Sequence, residues 1–318
     1  MTTAPTRSWT RTGDWRVWTD ATIGLAPDEW LTTVEHLIAS GRSLHRSKHA
    51  DTYRWARPGG DVYVKVYRRY RRWTSFKDWF RPTKAANVLA MTLRLSDLGF
   101  LVPPVLAVGE ERTRGGGRTW CATAALGGEP IATRLAALSE RPNSEAPGID
   151  HTPLRGDDHT ALRAKRGMLT SLGREVARLH QAGVVPGDLV PANVWIALAA
   201  AELRVAFLDH DRTRVGSAPT AWRRARRNLV QLNRVVLTGM TTSDRLRVFR
   251  AYADAAGWSR AAARRRLPWI VAKTVARRRA ERSVVPIPRD ADFRTVMRAN
   301  GPYALPPSPE RHVRGRPV

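Results

Sequence analysis

With 318 residues and 42% hydrophobic content, the chain has the length for one large domain or two lobes, and ample material for a core. Its 54 Lys and Arg against 28 Asp and Glu leave a net charge of +26, which calls for an anionic partner: nucleic acid, an anionic membrane face or a phosphorylated substrate. A single cysteine, Cys121, excludes an intramolecular disulfide framework and any cysteine cluster. Zinc-ligand spacings, an arginine-rich helix with a dimerising heptad and the aromatic signature of RNA-recognition sheets are not found, which leaves nucleic acid the weakest of the three partner classes. There is no signal-peptide apolar region and no run of about 18 apolar residues. The expected location is the cytoplasm, with peripheral contact at the inner face of the cytoplasmic membrane.

Residues 1–46 carry Trp9, Trp15, Trp18 and Trp30, and Pro27-Asp28-Glu29 opens a short helix to Ala39. Clustered tryptophans can bind a sugar or lipid face, but packing against the sheet that follows is the more frequent use. From Asp51 the run T-Y-R-W-A-R-P-G-G-D-V-Y-V-K-V-Y alternates about a Pro-Gly-Gly turn and predicts a β-hairpin. Val62, Val64 and Val66 take one face and Lys65 the other. A lysine in such a strand is either an ordinary exposed residue or the group that neutralises nucleotide phosphates. Arg68 to Arg81 is basic with interleaved aromatics, suited to glycolipid or membrane contact, to nucleic acid, or to a solvated loop.

A helix is predicted from Lys84 to Leu98, with Val88, Met91, Leu95 and Leu98 at helical spacing and Gly99 as its stop. No acid occurs between Lys84 and Ser96. Phe100 to Val108 and Arg118 to Ala125 read as strands joined through Gly115-Gly116-Gly117, and Leu126-Gly127-Gly128 as a crossing to a second lobe. Ser139 to His159 lacks apolar periodicity and predicts a mobile insertion. A helix from about Thr160 to Ala182, apolar at Leu169, Leu172, Val176 and Leu179, then delivers the chain into Gly183 to Val215.

That stretch sets a carboxylate, Asp188, five residues before an amide, Asn193, and follows them with a strand-like run ending at Asp209. A lone D-x-x-x-x-N is more often a surface loop. Here it comes in order after a strand lysine, a helix, two strands, a linker and a long helix, which is the order of a phosphoryl-transfer fold. Helices at Arg223 to Val236 and Asp244 to Ala256 follow, then basic clusters at Arg264 to Arg266 and Arg277 to Arg279, and a Pro- and Arg-rich tail after Pro286.

The chain resembles the lipopolysaccharide core kinases, the heptose and Kdo kinases of the protein-kinase-like superfamily. The resemblance rests on Y-V-K-V-Y-R around Lys65, R-P-T-K-A at 81–85, L-G-F-L-V-P-P-V-L-A-V-G-E at 98–110, L-H-Q-A-G-V-V-P-G-D-L-V-P-A-N at 179–193, F-L-D-H-D-R-T-R at 207–214 and N-L-V-Q-L-N-R-V-V at 228–236. It implies an α+β, bilobal, protein-kinase-like fold: an antiparallel sheet with one helix over 47–126 and a mostly helical lobe over 127–285. An N-terminal extension (1–46), the insertion (139–159) and the tail (286–318) complete the expected division. By the same resemblance ATP and Mg²⁺ are the cofactors, Asp188 is the catalytic base, Asn193 and Asp209 hold Mg²⁺, and Lys65 binds phosphate. Asp211 matches a second acid of the family's D-x-D pattern. The acceptor would be a sugar hydroxyl of the lipopolysaccharide inner core or a related anionic glycolipid or phosphorylated sugar, with Arg212 and Arg214 either holding it or simply solvated.

Three positions depart from that pattern. Pro186 stands where a histidine usually precedes Gly-Asp-Leu, Asn87 replaces the helix glutamate that pairs with the strand lysine, and His210 takes the place of a phenylalanine. Pro186 and Asn87 set a pseudokinase that binds nucleotide or a partner without turnover beside the kinase, and the arginine clusters set a basic nucleic-acid-binding protein beside both.

Overall fold

The computed structural model describes residues 9–68, 82–112, 117–139, 156–199 and 202–280. The basic segment 69–81, most of the stretch expected as an insertion and the tail from 281 lie outside the described residues. In chain order the elements are β1 (Trp9–Thr12), β2 (Trp15–Thr19), α1 (Pro27–Ala39), β3 (His45–Arg46), β4 (Ala50–Trp55), β5 (Val62–Tyr67), α2 (Lys84–Asp97), β6 (Val105–Glu111), β7 (Thr119–Ala124), β8 (Glu129–Pro130), α3 (Ile131–Ala137) and α4 (Gly156–Gln181). They continue with β9 (Val184–Val185), β10 (Val194–Ala199), β11 (Glu202–Phe207), β12 (Arg214–Val215), α5 (Trp222–Arg234), α6 (Thr242–Ala255) and α7 (Arg260–Ala280). The architecture is α+β and bilobal, an antiparallel sheet first and a helical lobe after it.

The first lobe is a seven-stranded sheet in the order β1-β2-β6-β7-β5-β4-β3. Residues 9–39, expected as an extension ahead of the lobe, are part of it. β1 and β2 form a hairpin about Gly13-Asp14, and β2 pairs with β6 from Trp15↔Glu111 to Thr19↔Ala107. Period-2 alternation sends side chains of each strand to opposite faces. Val62, Val64, Tyr53, Val17 and Trp120 pack under α1, whose Trp30 is fully buried and stacks on Trp120 with centroids 6.1 Å apart. α1 itself starts as its sequence requires, with Pro27 at the first helical position and the Glu29 side chain accepting from the Ala26 N–H at 2.7 Å. On the other face Trp18, Ala50, Tyr67, Val108 and Cys121 pack against Ala85, Val88 and Leu89 of α2. The sheet is thus the middle of three layers, and Lys65 and Tyr67 stand on its α2 side.

The second lobe is organised on α4, which begins at Gly156, four residues earlier than the periodicity suggested because its first turns carry no apolar repeat. Met168, Leu169, Leu172, Val176 and Leu179 are buried against α6 and the strands that follow. Gly173 allows the close approach of α4 to α6: a Cβ there would stand 2.3 Å from the Val248 carbonyl oxygen. Beside this contact lies a buried ion pair, Lys165 Nζ to Asp244 Oδ2 at 2.6 Å. α7, which the basic clusters alone did not signal as a helix, runs through Pro268 and packs Ile270 and Thr274 inward. Among the described residues no helix is long and apolar enough to cross a membrane.

Candidate active site

The sheet and the helical lobe meet at a cavity of about 380 Å³ lined by Lys65, Asn193, Asp209, Tyr63, Thr123 and Trp195 among others. Three of the four residues singled out from sequence therefore share one concavity. Lys65 is set there by register, opposite Thr52 on β4 and Cys121 on β7. Its ammonium donates to Asp209 Oδ1 at 2.8 Å, across the junction of the lobes.

Asp209, two residues past the end of β11, has φ 58 and ψ 70 and is the one non-glycine residue with positive φ among those described. Left-handed backbone costs an L-residue roughly 1–2 kcal/mol, and Asp is among the types that tolerate it best. The turn folds the following residues, His210–Arg212, into a 3₁₀ segment beneath α2. His210 is buried; its Nε2–H donates to the Phe207 carbonyl at 2.9 Å, and Nδ1 faces the Thr213 hydroxyl at 3.3 Å. Burial holds its pKa down at about 4, so it fills the phenylalanine position as a neutral ring.

Asn87 does not substitute for the missing glutamate. Among the described residues its side chain makes no hydrogen bond to Lys65 or to a carboxylate; its Nδ2 instead reaches the backbone carbonyl oxygens of His210, Asp211 and Thr213 at 3.2, 3.1 and 3.3 Å. α2 thus clamps the turn after Asp209 by hydrogen bonds, and Lys65 finds its counter-charge in Asp209 directly. A second lysine, Lys84, lies 3.9 Å from Asp211, and Lys65 and Lys84 both approach the ring of Tyr67, at 5.5 and 5.7 Å. Burial first, then the Asp209 carboxylate, pushes the Asp211 carboxyl above the ordinary range.

Asp188 sits on the exposed loop between β9 and the 3₁₀ turn Pro191–Asn193. The Asn193 amide donates to the Asp188 carbonyl at 2.9 Å, which leaves Asn193 Oδ1 turned to other ligands. With no histidine at position 186, the loop is held from behind by a chain of side chains that sequence reasoning missed. His180 Nδ1 faces the Tyr252 hydroxyl at 2.9 Å, and His180 Nε2 faces Asn228 Oδ1 at 3.1 Å. The Asn228 amide donates to the Pro186 carbonyl and to Gln231 Oε1, both at 2.8 Å. Gln231 Nε2 donates to the Gly187 carbonyl at 3.2 Å and reaches Asp188 Oδ1 at 3.5 Å, while its Oε1 accepts from the Leu189 N–H at 3.4 Å.

Donors and acceptors alternate along this relay in only one way. Asn228 spends its amide N–H groups on carbonyl oxygens, so its Oδ1 accepts from His180 Nε2–H, and His180 Nδ1 accepts from Tyr252. Burial lowers the His180 pKa to about 4, which keeps the ring in that neutral form. The spacing Asn228…Gln231, on one face of α5, was the available signal.

The arrangement can bind phosphate at Lys65 and can offer hard oxygen ligands, Asn193 Oδ1 and the Asp209 carboxylate, on one wall of the cavity. Oxygen donors of this kind suit Mg²⁺, which is commonly held by one or two protein groups together with substrate phosphates. Among the described residues no group of three or more His, Cys, Asp or Glu side chains forms a self-sufficient metal site.

Residues 149–252 match the sequence model of the lipopolysaccharide kinase (Kdo/WaaP) family. The EKC/KEOPS complex subunit bud32 of Emericella nidulans is 28% identical over 120 residues, 36% of this chain and 41% of that protein, so the chain spans about two fifths of that relative's length. Among solved structures, WaaP in complex with acyl carrier protein superposes with a TM-score of 0.50 at 21% identity, covering 80% of this chain and 93% of that one. At that identity the likeness is one of fold, and it is the bilobal kinase-like fold expected from the sequence.

Proposed function

Starting from this likeness to the lipopolysaccharide kinases, we propose that the protein is a Mg²⁺- and ATP-dependent phosphotransferase acting on a sugar hydroxyl of the lipopolysaccharide inner core or a related envelope glycolipid. The observation that supports it most is the convergence of Lys65, Asn193 and Asp209 on one cavity, with the Asn193 amide donating to the Asp188 backbone carbonyl and so tying the Asp188 loop to it. In the proposed roles Lys65 neutralises the nucleotide phosphates, and Asn193 and Asp209 hold Mg²⁺, which when bound supplies charge neutralisation for the transferred group. Asp188 takes the proton of the attacking hydroxyl, and the Asn228–Gln231 relay fixes the direction of its carboxylate. Little covalent work is asked of the protein, because positioning and charge neutralisation carry most of such a transfer.

The acceptor is anionic in this proposal, and the protein works at the cytoplasmic face of the membrane, where a net charge of +26 favours approach. Asp188→Asn should cut transfer to purified core glycolipid by roughly 100-fold or more, the range of a lost general base, with nucleotide affinity kept. Unchanged turnover would remove Asp188 from the role.

A pseudokinase is favoured by one specific observation, the use of Asn87 as a clamp on the Asp209 turn in place of an acid for Lys65. Thermal stabilisation by nucleotide that does not depend on Mg²⁺, with no turnover of any acceptor, would support that reading over the enzyme.

A further inference from the structure

Beside the Asp188 loop, and separate from the Lys65 cavity, lies a second cavity of about 300 Å³ lined by Pro186, Gly187 and four arginines, Arg212, Arg214, Arg224 and Arg227. We propose that this is an acceptor subsite for an oxyanion, a phosphate monoester or carboxylate already present on the sugar next to the hydroxyl that is phosphorylated. The proposal deepens the kinase reading and rests on it.

The arginines come from two directions. Arg212 and Arg214 follow Asp209 into β12, while Arg224 and Arg227, three apart, share a face of α5. Gly187 permits the meeting of loop and arginine segment: a Cβ there would stand 2.2 Å from Arg212 Cβ. Elsewhere arginines of this protein are matched, as in Arg54–Asp61 at 2.7 Å, Arg68–Asp51 at 2.8 Å, Arg118–Glu35 at 2.8 Å and Arg178–Glu175 at 2.6 Å. None of the four cavity arginines makes an ion pair or side-chain hydrogen bond among the described residues, and no carboxylate lines the cavity.

Like charges gathered around one concavity repel one another and focus a positive potential into it. An oxyanion relieves that repulsion. Guanidinium forks pair with phosphate and carboxylate oxygens two at a time, and a concavity of this volume takes a single charged sugar substituent. Position adds the rest. Gln231, which also lines the cavity, reaches Asp188 Oδ1 at 3.5 Å, so a bound anion lies beside the proposed base. A neutral sugar would leave the four guanidiniums unmatched, which makes the cavity a selector for acceptors that already carry charge.

The test has two arms. In the first, equilibrium dialysis of radiolabelled orthophosphate, with glucuronate and glucose as competitors, compares the full chain with an Arg224→Ala/Arg227→Ala double variant and with Arg42→Ala/Arg94→Ala, which removes the same charge from the other lobe. Orthophosphate affinity should fall at least tenfold in the first variant and stay within twofold in the second, and glucose should not compete. Competition by glucuronate would extend the subsite to carboxylates; its failure would restrict it to phosphate. Equal losses in the two variants overturn the proposal, since the binding would then follow net charge alone.

In the second arm, kcat/KM is measured for core oligosaccharide before and after phosphatase treatment. The phosphorylated form should be preferred at least tenfold by the wild type, and the preference should collapse in Arg224→Ala/Arg227→Ala. A preference that survives in that variant also overturns it. If the wild type transfers phosphate to no acceptor, the kinase reading fails, while the dialysis still decides whether the oxyanion site exists.

Discussion

Gln231 shows how much of the site depends on side chains that touch no substrate. Its amide bridges the Gly187 carbonyl, the Leu189 N–H and the Asp188 carboxylate, and Asn228 holds Gln231 in turn. Gln231→Leu keeps the volume and removes the bridge. It should lower kcat roughly fivefold, as expected for a hydrogen bond of about 1 kcal/mol, while the KM for ATP stays near wild type because the Lys65 cavity is untouched. A parallel rise in ATP KM would assign Gln231 to general stability instead. The same relay carries a pH signature. His180 and His210 are neutral when folded, with pKa values of about 4 against about 6.5 in the unfolded chain. Between those values the unfolded chain binds protons that the folded one refuses, so stability falls as pH drops from about 6.5 toward 4, by on the order of 3 kcal/mol per histidine, and these two groups leave it level above that window. Urea midpoints at pH 7.5, 6 and 5 should decline in that order, and His210→Phe should flatten part of the decline. At this scale the sequence was half legible. The meeting of Lys65, Asn193 and Asp209 at one cavity could be anticipated because their types and chain order follow a recognisable pattern. The relay was hidden because only the Asn228…Gln231 spacing shows in the sequence, and positions 180 and 252 join it only in the fold.

At the scale of elements, the seam between α4 and α6 holds a buried pair of opposite charges. Asp244 does three things at once: it accepts from the Thr241 N–H at 3.1 Å to cap α6, pairs with Arg247 at 3.0 Å, and neutralises the buried Lys165 at 2.6 Å. Removing it takes the paired carboxylate away from an ammonium whose side chain is 6% exposed. Asp244→Ala should therefore cost about 3–5 kcal/mol in urea unfolding, and Lys165→Met placed in the same chain should recover a large part, since an apolar pair of similar volume often replaces a buried ion pair without loss. No recovery would show that the capping hydrogen bonds, not the ion pair, carry the cost. Helices and hairpins with strong periodicity, such as α1, α2, β4–β5 and α6, were readable to within a few residues. The β1–β2 hairpin was not recognised, although Gly13-Asp14 flanked by alternating Trp and Val is a two-residue turn signal. β8, β9 and β12 have two residues each and no period to detect. α7 was obscured by Pro268 and by arginines on nearly every face.

For the whole molecule, charge is not spread evenly. α5 carries five arginines and α7 eight basic residues, with no acid in either helix, and a basic groove lined by Arg226, Arg234, Lys273 and Arg277 runs between them. Val271 and Val275 project from the exposed side of α7. In line with the proposed approach to a membrane, the protein should co-sediment with vesicles containing phosphatidylglycerol at low salt, lose most of that binding by about 0.5 M salt as the screening length shortens, and ignore neutral phosphatidylcholine vesicles. Salt-independent binding would point to apolar insertion instead. The excess of positive charge was plain in the composition; its concentration on two packed helices needed the fold. The single thiol closes the matter of how the whole moves. Cys121 is fully enclosed, its pKa is pushed up to about 12 by burial, and it sits directly across the ladder from Lys65. Reaction with a thiol reagent at pH 8 should run roughly a thousandfold slower than for free cysteine, because only molecules whose sheet or cavity wall has opened expose a thiolate. The protein therefore contains its own stopwatch for breathing at the phosphate-binding strand. A nucleotide that ties Lys65 to the opposite lobe should slow the hand of that stopwatch, since Cys121 lines the cavity it fills.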